Sequence, residues 1–233
     1  MKYFRILTFI LVYIFSTSLS FAGVVIGGTR VIYISDQKEA SISINNPETD
    51  ISYLIQSWVE GEDGKTKSPF IITPPLFKLK AGDENILRIV NTGNALPENN
   101  LPENKESLFW LNIKSIPATA KSAQNQLQIT VKSRFKLFYR PASLIDNAGT
   151  AYKVLKFKAD GHKLIVENPT PYYVSFSTLT VGNNVKNHEI KPAGMIAPFG
   201  QISWDVPIKN INQVTWKTIN DFGGVTPEEK CQL

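Results

Sequence analysis

The feature that most constrains this chain is a short-period alternation of apolar and polar residues, broken repeatedly by Gly, Pro or Asn. Ala40–Asn45 shows it plainly: Ile42 and Ile44 alternate with Ser41 and Ser43, the period of a strand with one buried face. Similar runs cover Val24–Ile34, Ile51–Val59, Asn85–Val90, Leu108–Ile116 and Gln126–Tyr139. Turn signals separate them at Asn46-Pro47, Gly61–Lys65, Thr73-Pro74-Pro75, Ala81-Gly82-Asp83, Thr92-Gly93-Asn94 and Pro97–Pro102. After Pro141 the pattern restarts, with expected strands at Tyr152–Lys158, His162–Glu167, Tyr172–Thr180, Lys186–Ile190, Gln201–Val206 and Gln213–Asn220. No segment has convincing amphipathic-helix spacing. The expected fold class is therefore all-β, with two immunoglobulin-like β-sandwich domains. The first is placed at 23–143 and the second at 144–233, with residues 142–150 as the hinge between them. On frequency alone the Thr73-Pro74 bond is expected to be trans, although a tight turn there would suit a cis bond.

Residues 1–22 read as a secretory signal peptide. Lys2 and Arg5 precede an apolar stretch from Ile6 to Phe15, and Ser20-Phe21-Ala22 supplies small residues at −3 and −1 of a cleavage site. The apolar stretch is shorter than the roughly 20 residues that span a bilayer. Cleavage would leave a chain starting at Gly23, with no membrane insertion after cleavage. It would also lower the formal charge from +5 to +3, since Lys2 and Arg5 leave and no acid goes with them. So small an excess does not call for a nucleic-acid partner.

Several chemistries are excluded by what 233 residues do not contain. A single Cys, Cys231, rules out a disulfide framework and multi-Cys metal sites, and so near the end of the chain it reads as a tail thiol. His162 and His188 have no ligand-spaced carboxylate, and no H-E-x-x-H, G-x-S-x-G, Walker A or G-x-G-x-x-G motif occurs. The chain is expected to be non-enzymatic and to need no cofactor.

Five motifs occur in order along the chain. Thr29-Arg30 is followed by Lys105-Glu106-Ser107-Leu108-Phe109-Trp110-Leu111-Asn112-Ile113-Lys114-Ser115-Ile116-Pro117 and by Phe135-Lys136-Leu137-Phe138-Tyr139-Arg140-Pro141. Glu167-Asn168-Pro169-Thr170-Pro171-Tyr172-Tyr173 and Ile219-Asn220-Asp221-Phe222-Gly223-Gly224 complete the set. Together with the leader and the two-sandwich pattern, they resemble the periplasmic chaperones of the chaperone–usher pathway, which assembles pili and fimbriae. Lys105 stands where that family often has Arg, and Phe222 where it often has Tyr. The connection beginning Ala118-Thr119-Ala120-Lys121-Ser122-Ala123 is short, which resembles the branch serving rod-like pili.

The resemblance implies a periplasmic protein whose two sandwiches meet in an L shape and hold a pilus subunit in the cleft, before delivery to an outer-membrane usher. It implies that Arg30 and Lys136 grip the C-terminal carboxylate of the subunit. A guanidinium offers paired planar donors and an ammonium a point charge, so the two can share one carboxylate. It also implies that Gln126–Lys132 is lent to the subunit as a strand, with Leu127, Ile129 and Val131 entering pockets in that partner. Read without the resemblance, the same alternation fills the first domain's own core. Glu106, Arg140 and Asp221 are implied to form an ion network between the domains. An exposed donor strand also leaves the free chain open to self-association as a capped dimer.

One parity problem stands out. Lys136 is even-numbered, so uninterrupted alternation puts it on the face opposite Leu127, Ile129 and Val131. Either a bulge intervenes between Lys132 and Phe135, or Lys136 reaches the cleft from another aspect of the strand. A competing reading is a periplasmic or surface β-sandwich that binds a sugar or other ligand, with Trp58, Trp110, Trp204 and Trp216 available for stacking.

Overall fold

A computed structural model describes residues 23–93, 101–119, 127–183 and 185–233. The expected signal peptide, part of the 118–126 connection and Gln126 lie outside the described residues. The strands in chain order are β1 (Val25–Ile26), β2 (Arg30–Ile34), β3 (Ala40–Asn45), β4 (Tyr53–Gly61), β5 (Phe70–Thr73), β6 (Leu76–Leu79), β7 (Glu84–Asn91), β8 (Ser107–Pro117) and β9 (Val131–Arg140). Beyond them come β10 (Lys156–Asp160), β11 (Lys163–Glu167), β12 (Val174–Gly182), β13 (Asn187–Glu189), β14 (Met195–Ile196), β15 (Gln201–Asp205), β16 (Gln213–Thr218) and β17 (Glu229–Gln232).

The first nine strands make two sheets, ordered β1-β3-β7-β5 and β2-β9-β8-β4-β6. Their inner faces enclose one core, which includes Ile44, Ile55, Leu87, Ile89, Leu111 and Leu137. The remaining strands form β10-β11-β15 and β13-β12-β16-β17, with β14 against β12, around a second core that includes Leu164, Val166, Leu179, Val214 and Trp216. Alternation explains each face: in β16 (QVTWKT) Val214, Trp216 and Thr218 are buried and the residues between them are not.

The single run expected at Val24–Ile34 is two strands in different sheets. β1 pairs with β3, whereas β2 lies parallel to β9. The chain changes sheets at Gly27-Gly28, and Gly27 is pressed so close to Ser43 that a Cβ there would lie 2.1 Å from its hydroxyl oxygen. The run expected at Gln126–Tyr139 also differs: the β8–β9 ladder stops at Ser115 and Val131, and Leu127–Thr130 belongs to no strand. Strands β5 and β6, not among the expected runs, flank the turn expected at Thr73-Pro74-Pro75, and the Thr73-Pro74 bond there is cis rather than trans.

The segment read as a hinge is partly built into the second core. A 3-10 helix covers Ala148–Val154 in place of the start of the strand expected at Tyr152, and its Ala151 and Tyr152 are buried. Trp216 donates its indole N–H to the Tyr152 carbonyl at 2.9 Å, which fixes this turn. Cys231 is not in a loose tail: it sits in β17 opposite Val214.

Candidate subunit-binding site

The N-terminal half of β9 is a strand with one open edge. Val131–Phe135 pairs with β8 on one side. On the other side β2 begins only at Arg30, opposite Lys136, because the preceding residues have crossed to the other sheet. Ile129 and Val131 also border a slot of about 290 Å³ whose lining includes Val24, Ile26, Tyr53 and Ile113. Leu127, Ile129 and Val131 are 88%, 68% and 54% exposed, so they do not fill the domain's own core. Three apolar side chains left in water beside an unpaired edge form a surface suited to another chain.

The β8–β9 ladder runs from Val131 to Tyr139 without a register shift. No bulge resolves the parity problem; the second option holds. The odd face of β9 carries Phe135 and Leu137 against the first core, and the even face turns toward the second domain. There Phe138 packs on Tyr173 with ring centroids 5.4 Å apart, and Lys136 Nζ donates to Ser175 Oγ on β12 at 2.9 Å.

Arg30 and Lys136 are direct neighbours across the parallel β2–β9 pair. Arg30 Nη1 donates to the Ile219 carbonyl at 3.0 Å and its guanidinium lies 5.8 Å from the centre of the Phe138 ring. Its Nε is buried and has no hydrogen-bond partner. Among the described residues neither cation makes an ion pair within 4.0 Å. Burial lowers the pKa of Arg30 against the distant pull of Asp221 and Glu106. Burial, and then the Arg30 charge, lower that of Lys136 to about 8. Two half-buried like charges, one of them with an unused donor, make a site that an anion would relieve.

Glu106, Arg140 and Asp221, drawn from three parts of the chain, meet between the domains. Arg140 Nε donates to Glu106 Oε1 at 2.7 Å, and Nη1 and Nη2 donate to the two Asp221 oxygens at 2.6 and 2.8 Å. The second Glu106 oxygen accepts the Tyr173 amide at 2.7 Å. Burial disfavours the Arg140 cation, but the Asp221 hydrogen bonds and the Glu106 charge outweigh it and raise its pKa. Burial pushes Glu106 upward, against Arg140 and the Tyr173 amide. Nearby, Gly223 (φ +83°) lies so close to Thr29 that a Cβ would sit 2.5 Å from the threonine hydroxyl. The Thr29-Arg30 and Ile219–Gly224 motifs are therefore two sides of one contact.

The motif at 167–173 is structural: Asn168 donates to the Tyr172 and Ala197 carbonyls at 2.7 and 2.9 Å and accepts from Thr170. Sequence reasoning missed Ser175, which has no local signal and reaches Lys136 only through the fold, and the Ile219 carbonyl, which no side-chain pattern announces. The tryptophans offer no shared stacking platform: Trp216 is core, Trp204 packs against the same core, and Trp58 and Trp110 lie under Lys132 and Arg134.

Two β-sandwiches joined by an ion network, with an unpaired strand edge that ends at two cations lacking an acid partner, form a two-domain all-β protein with a surface suited to an extended chain end. The comparisons agree. Residues 23–145 match the PapD N-terminal domain of pili and flagellar-assembly chaperones, and residues 150–230 match the PapD C-terminal domain of pili assembly chaperones. The chain belongs to this family of pilus assembly chaperones. It is 42% identical over 209 residues to the chaperone protein FimC of Escherichia coli K12, covering 89% of this chain and 83% of FimC. It is 40% identical over 233 residues to the Escherichia coli chaperone protein FocC, covering 99% and 98%. Among solved structures, the complex of Salmonella enterica SafA pilin with the SafB chaperone matches with a TM-score of 0.79 at 31% identity, covering 93% of this chain and 99% of the matched one. The Escherichia coli chaperone DraB matches at 0.79 and 34%, covering 91% and 98%.

Proposed function

We propose that this chaperone captures pilus subunits in the periplasm by adding the open edge of β9 to the subunit and anchoring that partner's terminal carboxylate on Arg30 and Lys136. Its partners are pilus subunits and the outer-membrane usher that receives them. In this reading residues 1–22 are a signal peptide, residues 23–143 carry the donor strand and residues 144–233 complete the cleft. The action is non-enzymatic.

The observation that carries the reading is where the open edge ends. β2 continues the vacant line beside β9, and it runs parallel to β9 from Arg30 onward. A pilin strand filling that line parallel to β9 ends at Arg30 and Lys136 with its carboxylate; an antiparallel one would bring an α-ammonium to two cations. The charges thus select one direction, and a chain end fixes one register. Main-chain bonds along Val131–Phe135 supply sequence-independent affinity, and Leu127, Ile129 and Val131 supply apolar burial of about 1.5–3 kcal/mol each before association costs. The Glu106–Arg140–Asp221 network holds the angle at which the second domain faces the edge; its value lies in geometry, since buried ion pairs about break even against apolar packing.

Mass spectrometry of proteins co-purifying with the periplasmic form tests the reading. Pilin subunits are expected. Release of the protein from a glycan column by free sugar, with no pilin bound, would instead support the ligand-binding alternative, which the engaged tryptophans do not favour.

A further inference from the structure

The outer face of the β2-β9-β8-β4-β6 sheet carries a layer of cations on aromatic rings that the anchoring chemistry does not use. Lys132 Nζ lies 4.9 Å from the centre of the Trp58 ring on β4, and Arg134 Cζ lies 4.1 Å from that of Trp110 on β8. Glu60 links the two cations, with its oxygens 3.9 Å from Lys132 Nζ and 3.9 Å from Arg134 Nη2. Glu60 is itself fixed by the Trp58 indole N–H at 2.8 Å, which lowers its pKa and keeps it charged. Trp110 is pinned by its own indole N–H to the Glu62 carbonyl at 2.9 Å. The turn after β4 closes over the guanidinium, since a Cβ on Gly64 would lie 2.9 Å from Arg134 Nη2.

Lys132 and Arg134 belong to the part of β9 that has a ladder on one side only. A strand half with one partner frays more readily than one held on both sides. We propose that Glu60, Trp58 and Trp110, acting through Lys132 and Arg134, hold the open-edged half of β9 extended in the free protein, so that the edge is presented already formed. These are positioning residues: none touches the carboxylate site. The consequence for function rests on the strand-donation reading, but the clamp is a property of the unbound chain. Ordering Val131–Phe135 before the encounter removes an entropic cost from binding.

The test is native-state amide hydrogen exchange on the free protein, comparing wild type with Arg134→Met and Glu60→Gln. Both substitutions keep most of the side-chain volume at positions that are not buried, so the domain folds. Cation–aromatic contacts of this exposure predict roughly a three- to tenfold loss of protection at the Val131–Phe135 amides that bond β8, with β3 and β7 in the opposite sheet unchanged. Arg134→Lys should restore part of the protection. Unchanged protection in Val131–Phe135 would overturn the proposal, and so would an equal loss in β3 and β7, which would mark a general stability effect. Failure of the wild type to bind any pilus subunit would count against strand donation and leave the exchange result standing.

Discussion

Arg30 and Lys136 sit opposite each other on neighbouring parallel strands, and among the described residues neither has an acid to pair with. Removing either from the free protein takes away a like-charge repulsion together with one hydrogen bond, to the Ile219 carbonyl for Arg30 and to Ser175 for Lys136, and the two effects offset. Arg30→Ala and Lys136→Ala should leave the melting temperature nearly unchanged, or raise it slightly. Each should weaken pilin binding by about 2–5 kcal/mol, because the carboxylate is then left under-compensated in the complex. The double variant should lose less than the sum, since both act on one group. Calorimetry on the purified complexes reads all three values.

The donor face allows a sharper separation of folding from binding. Ile129 is mostly exposed and lies beyond the ladder, so Ile129→Asp should not lower the melting temperature of the free chain measurably. In a pocket of the bound pilin the same charge costs several kcal/mol, and co-purified pilin should vanish. A large fall in melting temperature would return Ile129 to the core and contradict the assignment.

Lys136 gives the site a pH dependence whose sign follows from its lowered pKa. Its value near 8 lies below the ordinary 10.5, so between those limits the unfolded chain holds a proton that the folded one has lost. The contribution of this group to the free chaperone's stability therefore rises with pH across about 8 to 10.5. Carboxylate binding needs the charged form, so affinity for the carboxylate end of a pilin should fall as pH rises from about 7 to 9.5. Lys136→Met should flatten that dependence, and an unaltered slope would remove Lys136 from it.

At the domain junction two changes should behave differently. Glu106→Ala leaves Arg140 buried with one partner and the Tyr173 amide unsatisfied, for a loss of about 3–5 kcal/mol in stability by denaturant titration. Gly223→Ala forces a side chain toward Thr29 from a left-handed backbone and should open the contact that holds Ile219 against Arg30. It should cost less stability but widen the interdomain angle, which small-angle scattering of the free protein can read.

Much of this site was legible in the sequence for a physical reason: strand alternation is a local property, and apolar side chains at every second position show which residues share a face. Leu127, Ile129 and Val131 were readable in that way, and so was the fact that Lys136 could not share their face. Whether that face was core or surface was not readable, because it depends on which edge β2 leaves vacant. The switch of sheets at Gly27-Gly28 creates the vacancy, and it hides inside one continuous β-branched run. Glu106, Arg140 and Asp221 carry no signal as isolated charges; only their motif context joined them. Ser175 and the Ile219 carbonyl were invisible because backbone acceptors and lone hydroxyls gain meaning only from what the fold places beside them. The cysteine read as a tail thiol misled for a similar reason: Glu229–Gln232 is too short and polar to announce a strand, and β16 recruits it as an edge.

Strand donation of this kind turns on one point: the two cations hold a chain terminus delivered along the open edge of β9. Isothermal titration of the wild-type protein with two peptides from the end of a pilin, identical except for a terminal carboxylate or amide, decides it. Amidation should weaken binding by roughly 30-fold or more, and the amidated peptide should be nearly indifferent to Arg30→Ala and Lys136→Ala. Equal affinity for the two peptides would take the carboxylate out of the mechanism.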